Sequence, residues 1–171
     1  SLMVLCAKMG LHFTVCAPKE LFPAEELVEE CRKIAAETGA TITLTEDVKE
    51  ACTGANVIYT DIWVSMGEPA ELWAERIKLL EPYRVTSDLM EDYVKNPDCL
   101  VMHMLPAYHN ADMKLMQKFL AEAKNERDRR ILTEGICISD ECFEKHASEI
   151  FREAGNRQPT IKACLAAVLG I

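Results

Sequence analysis

The chain has 171 residues, 49% of them apolar and 27% charged, with a formal net charge of −9 at pH 7. That length supplies a core for one domain, and the composition is that of an ordinary globular protein. The acidic balance argues against a nucleic-acid surface, which needs clustered Lys and Arg, and no apolar run reaches the roughly 20 residues of a membrane-spanning helix.

Residues 1–10 (SLMVLCAKMG) read as helix from the first position, without an initiator methionine or a signal peptide, as a domain cut from a longer chain would begin. Residues 13–17 (FTVCA) are a short apolar strand closed by Pro18. Pro23 opens a helix in which Leu27, Cys31, Ile34, Ala35 and Thr38 recur at helical spacing, and Gly39 ends it. Residues 41–45 (TITLT) are β-branched and alternating, hence a strand. A short acidic helix spans 46–54 and a further strand 56–60.

Helices are expected at 69–80, carrying Leu72, Trp73, Ile77 and Leu80, and at 87–94, with a short strand at 83–85 between them. Residues 99–103 (CLVMH) are a buried strand, and Leu115, Met116, Phe119, Leu120 and Ala123 mark the next helix. The charged run 124–130 (KNERDRR) reads as a solvated helix end. The last helix covers 146–170, with a break near Gly155 and Pro159.

Strand–helix alternation of this kind implies an α/β fold: a three-layer, Rossmann-like arrangement with a mostly parallel sheet and helices on both faces. Ligands of such sheets sit at the carboxyl ends of the strands. The loops 61–69 and 103–110 both leave strands at that edge, which places them side by side. The first, DIWVSMGEP, mixes a carboxylate, a tryptophan and a thioether where a plain turn would use Gly, Asn, Pro and Asp. Eight cysteines are scattered among apolar neighbours without a CxxC, which fits a reduced core better than a disulfide framework or a zinc site.

DIWVSMGEP, HMLPAYH and EAGNRQPTIKA, in this order and spacing, closely resemble the second domain of ornithine carbamoyltransferases. The resemblance runs through essentially the whole chain, including APKE at 17–20 and the helix ELVEECRKIAAETGA. It implies that residues 1–171 are the ornithine-binding domain of such an enzyme, truncated at its N-terminal side. The reaction implied joins carbamoyl phosphate and L-ornithine to give L-citrulline and phosphate, with no cofactor and no metal.

By the same resemblance, Asp61 holds the reacting amine, while Ser65 and the Met66 backbone engage the α-amino and carboxylate groups. Trp63 and Val64 give the loop an apolar side to pack when it closes over ornithine. Arg157 reaches carbamoyl phosphate, the backbone carbonyls of Met104 and Leu105 hold its amide, and His103 and Pro106 support the turn. Two departures stand out. The family's HCLP cysteine is Met104 here, and a thioether neither donates a proton nor ionises as a thiol does near pH 8.5. The phosphate-binding first domain, with its S-x-R-T-R motif, is absent from the sequence. Half an active site is therefore expected, inactive alone. The full-length protein is expected to be a cytoplasmic homotrimer, or to lie in an organelle matrix if a targeting segment precedes these residues.

Blander readings exist for each residue. Asp61 at a strand end is also a turn cap, and Arg157 is also a helix cation. Trp73 reads as core. His103, His109 and Asp112 match no usual metal-ligand spacing, and His109 reads as structural. Competing functions are a non-catalytic amino-acid-binding or regulatory module and a carbamoyltransferase acting on a related amine such as putrescine. A nucleotide-binding domain is disfavoured because no GxGxxG follows a strand.

Overall fold

A computed structural model describes residues 1–64, 72–123 and 125–170. Ser65 and Met66 lie outside the described residues, as does the expected start of the helix at 69. The chain divides into two units, Ser1–Thr53 and Gly54–Ile171, each built on a pair of parallel strands.

In the first unit the order is α1 (Leu2–Lys8), β1 (Phe13–Cys16), α2 (Glu25–Thr38), β2 (Ile42–Thr45) and α3 (Val48–Cys52). β1 and β2 pair from Phe13↔Ile42 to Cys16↔Thr45. Val28, Cys31 and Ala35 recur on one face of α2 and pack with Met3, Ala7, Ala40 and Ile42, so helical periodicity translates directly into one small core. Gly39 ends α2 at φ +82°, a left-handed conformation that costs glycine nothing, and its N–H bonds the Ala35 carbonyl. Asp47 caps α3, its carboxylate accepting from Glu50 N at 3.0 Å. Pro23 stands two positions ahead of α2 rather than within its first turn.

The second unit contains β3 (Val57–Thr60) and β4 (Leu100–His103), paired in parallel register from Val57↔Leu100 to Thr60↔His103. Around them lie α4 (Leu72–Leu80), α5 (Ser87–Leu89, continued by a π-turn at Met90–Val94), α6 (Lys114–Glu122), α7 (Glu126–Glu134) and α8 (Asp140–Leu169). Trp73 and Ile77 of α4, Met116 and Phe119 of α6, and Ile131 and Leu132 of α7 share a core with Val64, Tyr108 and Ile136. A second cluster joins Val85, Val101, Ala107 and Ile138 to Cys142, Phe143 and Ile150 of α8.

Three expectations differ from the structure in this unit. The strand at 83–85 reduces to one parallel bridge, Val85↔Ile138, because Glu81–Tyr83 take a 3₁₀ turn. Residues from Glu126 form a helix of their own: Asn125 caps it by accepting from Asp128 N at 2.8 Å, and Ile131 and Leu132 bury its inner face. α8 starts at Asp140 and runs unbroken past Gly155 and Pro159. The carbonyl that Pro159 leaves without an amide partner belongs to an exposed turn, open to solvent. The α/β class and the parallel strands agree with the sequence reading. Among the described residues no helix is long and apolar enough to cross a membrane.

Candidate functional site

Thr60↔His103 is the last register pair of β3 and β4. Asp61 and Met104 therefore leave adjacent strands at the same carboxyl edge, the juxtaposition expected from the alternating pattern. Asp61 is exposed, and its Oδ1 accepts from Ile62 N at 2.7 Å. The capping role is thus real, and it orients the carboxylate at the strand end. Beyond it the chain turns inward: Ile62 and Trp63 pack partly against the core that Val64 enters fully, at 1% exposure.

The second loop alternates between solvent and core. Met104 is 49% exposed, Pro106 is exposed after a cis peptide bond, and Leu105 packs against the second cluster. Ala107 and Tyr108 are buried, and Tyr108 meets Trp73 edge-on at 5.5 Å. Trp73 is core, at 7% exposure.

His103 is the buried polar residue beneath this turn, at 1% exposure. Its Nδ1 bonds the Met104 carbonyl, and its Nε2 lies 2.9 Å from Cys137 Sγ. Burial holds the imidazole below its ordinary value against the opposite pull of the Met104 carbonyl, Asp61 and Glu153, so the ring is neutral at pH 7. Burial also pushes the Cys137 thiol up to about 12.

His109 serves structure. Its Nδ1 is 2.7 Å from Asp140 Oδ1, an oxygen that Asn110 Nδ2 shares at 3.1 Å. The ring stacks on Phe143 at 3.7 Å. His109, Asp140 and Glu144 each place a donor atom within 4.8 Å of the others, which is cation-like spacing. The first two are already bonded to each other, and the set clamps the 103–110 loop to the first turn of α8. Asp112 is outside this group.

From α8, Glu153 reaches back towards Tyr59 of β3; burial and this neighbouring carboxylate push the Tyr59 hydroxyl up to about 12. Glu153 Oε2 is buried and lacks a hydrogen-bond partner among the described residues. Arg157 follows one helical turn later and is exposed. It makes no hydrogen bond to Asp61 or to residues 103–106. The structure thus brings Asp61, His103 and Met104 together and leaves Arg157 outside that group. Sequence reasoning missed Tyr59, Cys137 and Glu153. Glu153 stands four residues before Arg157 in the EAGNR stretch and could have been found as its helical neighbour.

A family model described as the Asp/Orn binding domain of aspartate/ornithine carbamoyltransferase matches residues 1–168. A catabolic ornithine carbamoyltransferase of Treponema denticola is 48% identical over 169 residues, 99% of this chain and 47% of its own length. One of Chromobacterium violaceum is 49% identical over 170 residues, 99% of this chain and 48% of its own length. Among solved structures, the anabolic ornithine carbamoyltransferase of Campylobacter jejuni matches with a TM-score of 0.78 at 32% identity, covering 99% of this chain and 47% of that one. The ornithine carbamoyltransferase of Pyrococcus furiosus gives 0.74 at 32%, covering 97% and 44%. The chain spans about half the length of the relatives it matches.

Proposed function

From the chain's membership of the aspartate/ornithine carbamoyltransferases, as their Asp/Orn-binding domain, we propose that it supplies the ornithine-binding half of an ornithine carbamoyltransferase. Carbamoyl phosphate and L-ornithine would give L-citrulline and phosphate. The observation that supports this reading is that Asp61 and Met104 directly follow Thr60 and His103, the last register pair of the parallel strands.

The nucleophile is an amine with a pKa near that of lysine, about 10.4, so only about 1 in 10³ is neutral at pH 7. Asp61 holds this amine at the strand edge; a carboxylate favours the charged form, so it orients more than it activates. Ser65 and Met66 take the α-amino acid end, a role putrescine could not use. The carbonyls of Met104 and Leu105 hold the carbamoyl amide, and Arg157 answers the anion's charge. His103 and Pro106 shape the turn. The domain is residues 1–171, and the full-length form is a cytoplasmic homotrimer.

Met104 favours a second reading, an amino-acid-binding module without catalysis, because its exposed thioether cannot pass a proton. The test is citrulline formation by the full-length native polypeptide, alone and as Asp61→Ala. Turnover with an ornithine KM raised at least roughly tenfold in the variant supports the enzyme. Ornithine binding without turnover supports the module, and putrescine outcompeting ornithine would overturn the choice of substrate.

A further inference from the structure

Cys137 is a buried thiol that nothing in the reading above uses. It sits behind the turn after β4 because the backbone places it there. Val85 N bonds the Cys137 carbonyl at 3.0 Å, Ser139 N bonds the Val85 carbonyl at 2.9 Å, and Ile136 N bonds the Tyr108 carbonyl at 2.9 Å. Held from three sides, Cys137 has 0% exposure and its Sγ lies 2.9 Å from His103 Nε2.

Donor and acceptor roles along this line are determined by what each group can do. The Met104 oxygen only accepts, so His103 Nδ1 carries the hydrogen of that bond. In a neutral imidazole Nε2 is then an acceptor. The thiol must donate to it, since Nε2 of that tautomer has no hydrogen to give. We propose that Cys137 is a positioning residue: its S–H fixes His103 as the Nδ1–H tautomer, and Nδ1–H fixes the Met104 carbonyl where the carbamoyl amide is to be held. This rests on the carbamoyl-phosphate reading of that carbonyl.

The burial energetics agree with this arrangement. A thiolate beside an imidazolium would place two charges in a site closed to water. Burial instead raises the thiol and lowers the imidazole, and both are neutral. The line is a chain of two hydrogen bonds that moves no proton. Its service is orientation: Met104 is an exposed residue whose carbonyl is tethered from below by His103.

Ser and Ala have nearly the same volume, so Cys137→Ser and Cys137→Ala differ mainly in the donor. The experiment uses the full-length native polypeptide with ¹⁵N-labelled histidine, reading the His103 tautomer by NMR and carbamoyl-phosphate KM by citrulline assay. Expected is the Nδ1–H tautomer in native protein and in Cys137→Ser, with KM within about twofold of native. In Cys137→Ala the tautomer is released and KM rises about five- to tenfold, the loss of roughly one neutral hydrogen bond. kcat and ornithine KM stay within about twofold, as for a contact equal in ground and transition states.

A packing role would make Ser and Ala equivalent in both readouts, and that result would overturn the proposal. So would an Nε2–H tautomer in native protein. If no form binds or uses carbamoyl phosphate while the native tautomer is Nδ1–H, the substrate reading fails and the hydrogen-bond line stands.

Discussion

At the scale of single residues, His103 and Met104 make opposite uses of adjacent positions. His103 is buried and neutral, with Asp61 and Glu153 on one side of the balance and desolvation and His109 on the other. Its folded pKa is depressed, so the unfolded chain binds the proton first. Stability is therefore full above about pH 6.5, the unfolded value. It declines as pH falls from there towards the folded value and is flat below it. His146, also lowered by burial, adds a slope of the same sign. Urea midpoints between pH 7.5 and 5 are expected to fall for the native chain and to fall less steeply for His103→Asn. Equal slopes would show that His103 is not the titrating group. Met104, by contrast, is exposed at the carboxyl end of β4. A backbone carbonyl survives any side chain, but acid–base assistance does not. On the proposed function, Met104→Cys in the full-length polypeptide is expected to raise kcat roughly tenfold or more with carbamoyl-phosphate KM unchanged. It should also bring in a pH dependence near the thiol value of about 8.5. A kcat equal to native would remove the missing thiol as the limiting feature.

Among the elements, Gly135 after α7 and Gly155 within α8 behave oppositely for geometric reasons. Gly135, between α7 and the bridge that holds Cys137, has φ +101°, and a Cβ there would lie 2.1 Å from the Ile138 carbonyl oxygen and 2.5 Å from that of His109. Both obstacles are backbone, so Gly135→Ala must displace the segment; a loss of about 3 kcal/mol or more is expected in denaturant unfolding. Gly155 lies in mid-helix with nothing within 4 Å of an added Cβ. Gly155→Ala is expected to raise helical circular dichroism without moving the global midpoint by more than about 0.5 kcal/mol. The reason is that Ile150 is the last fully buried residue of α8 and Glu153 the last to reach the sheet, so the turns beyond open locally rather than with the core. The same asymmetry explains what the sequence reveals of the elements. Strands 13–16, 42–45, 57–60 and 100–103 are legible because β-branched runs end at turn residues, and α2 because its apolar face repeats and Gly39 stops it. α7 was hidden because its cap, Asn125, stands inside a charge run and only Ile131 and Leu132 mark its inner face. α8 was misread at Gly155 and Pro159 because good helix formers on both sides outweigh two breakers. The His103–Cys137 contact spans 34 positions, and no periodicity connects residues so far apart.

For the molecule as a whole, the proposed function asks whether 171 residues with a net charge of −9 can manage an anionic substrate. Carbamoyl phosphate brings negative charge in its phosphate, and more develops on its carbonyl as the amine attacks. The edge formed by β3 and β4 presents Asp61, and Glu153 lies beneath it. These carboxylates suit the cationic amine and oppose the phosphate. The cation assigned to the anion, Arg157, is exposed on α8 without a bond to the 103–106 turn. One exposed arginine is screened by water and supplies little of the preorganised charge that transition-state stabilisation needs. The 171-residue chain alone is therefore expected to form no citrulline above the uncatalysed rate in a steady-state assay, even with both substrates at millimolar concentration. It should still bind L-ornithine, more weakly after Asp61→Ala, in a calorimetric titration. Those two results together would place the amine-holding chemistry in these residues and the phosphate-holding chemistry elsewhere. Turnover by the chain itself would mean that Arg157 and the Met104 and Leu105 carbonyls suffice, and that the electrostatic account of this edge is wrong.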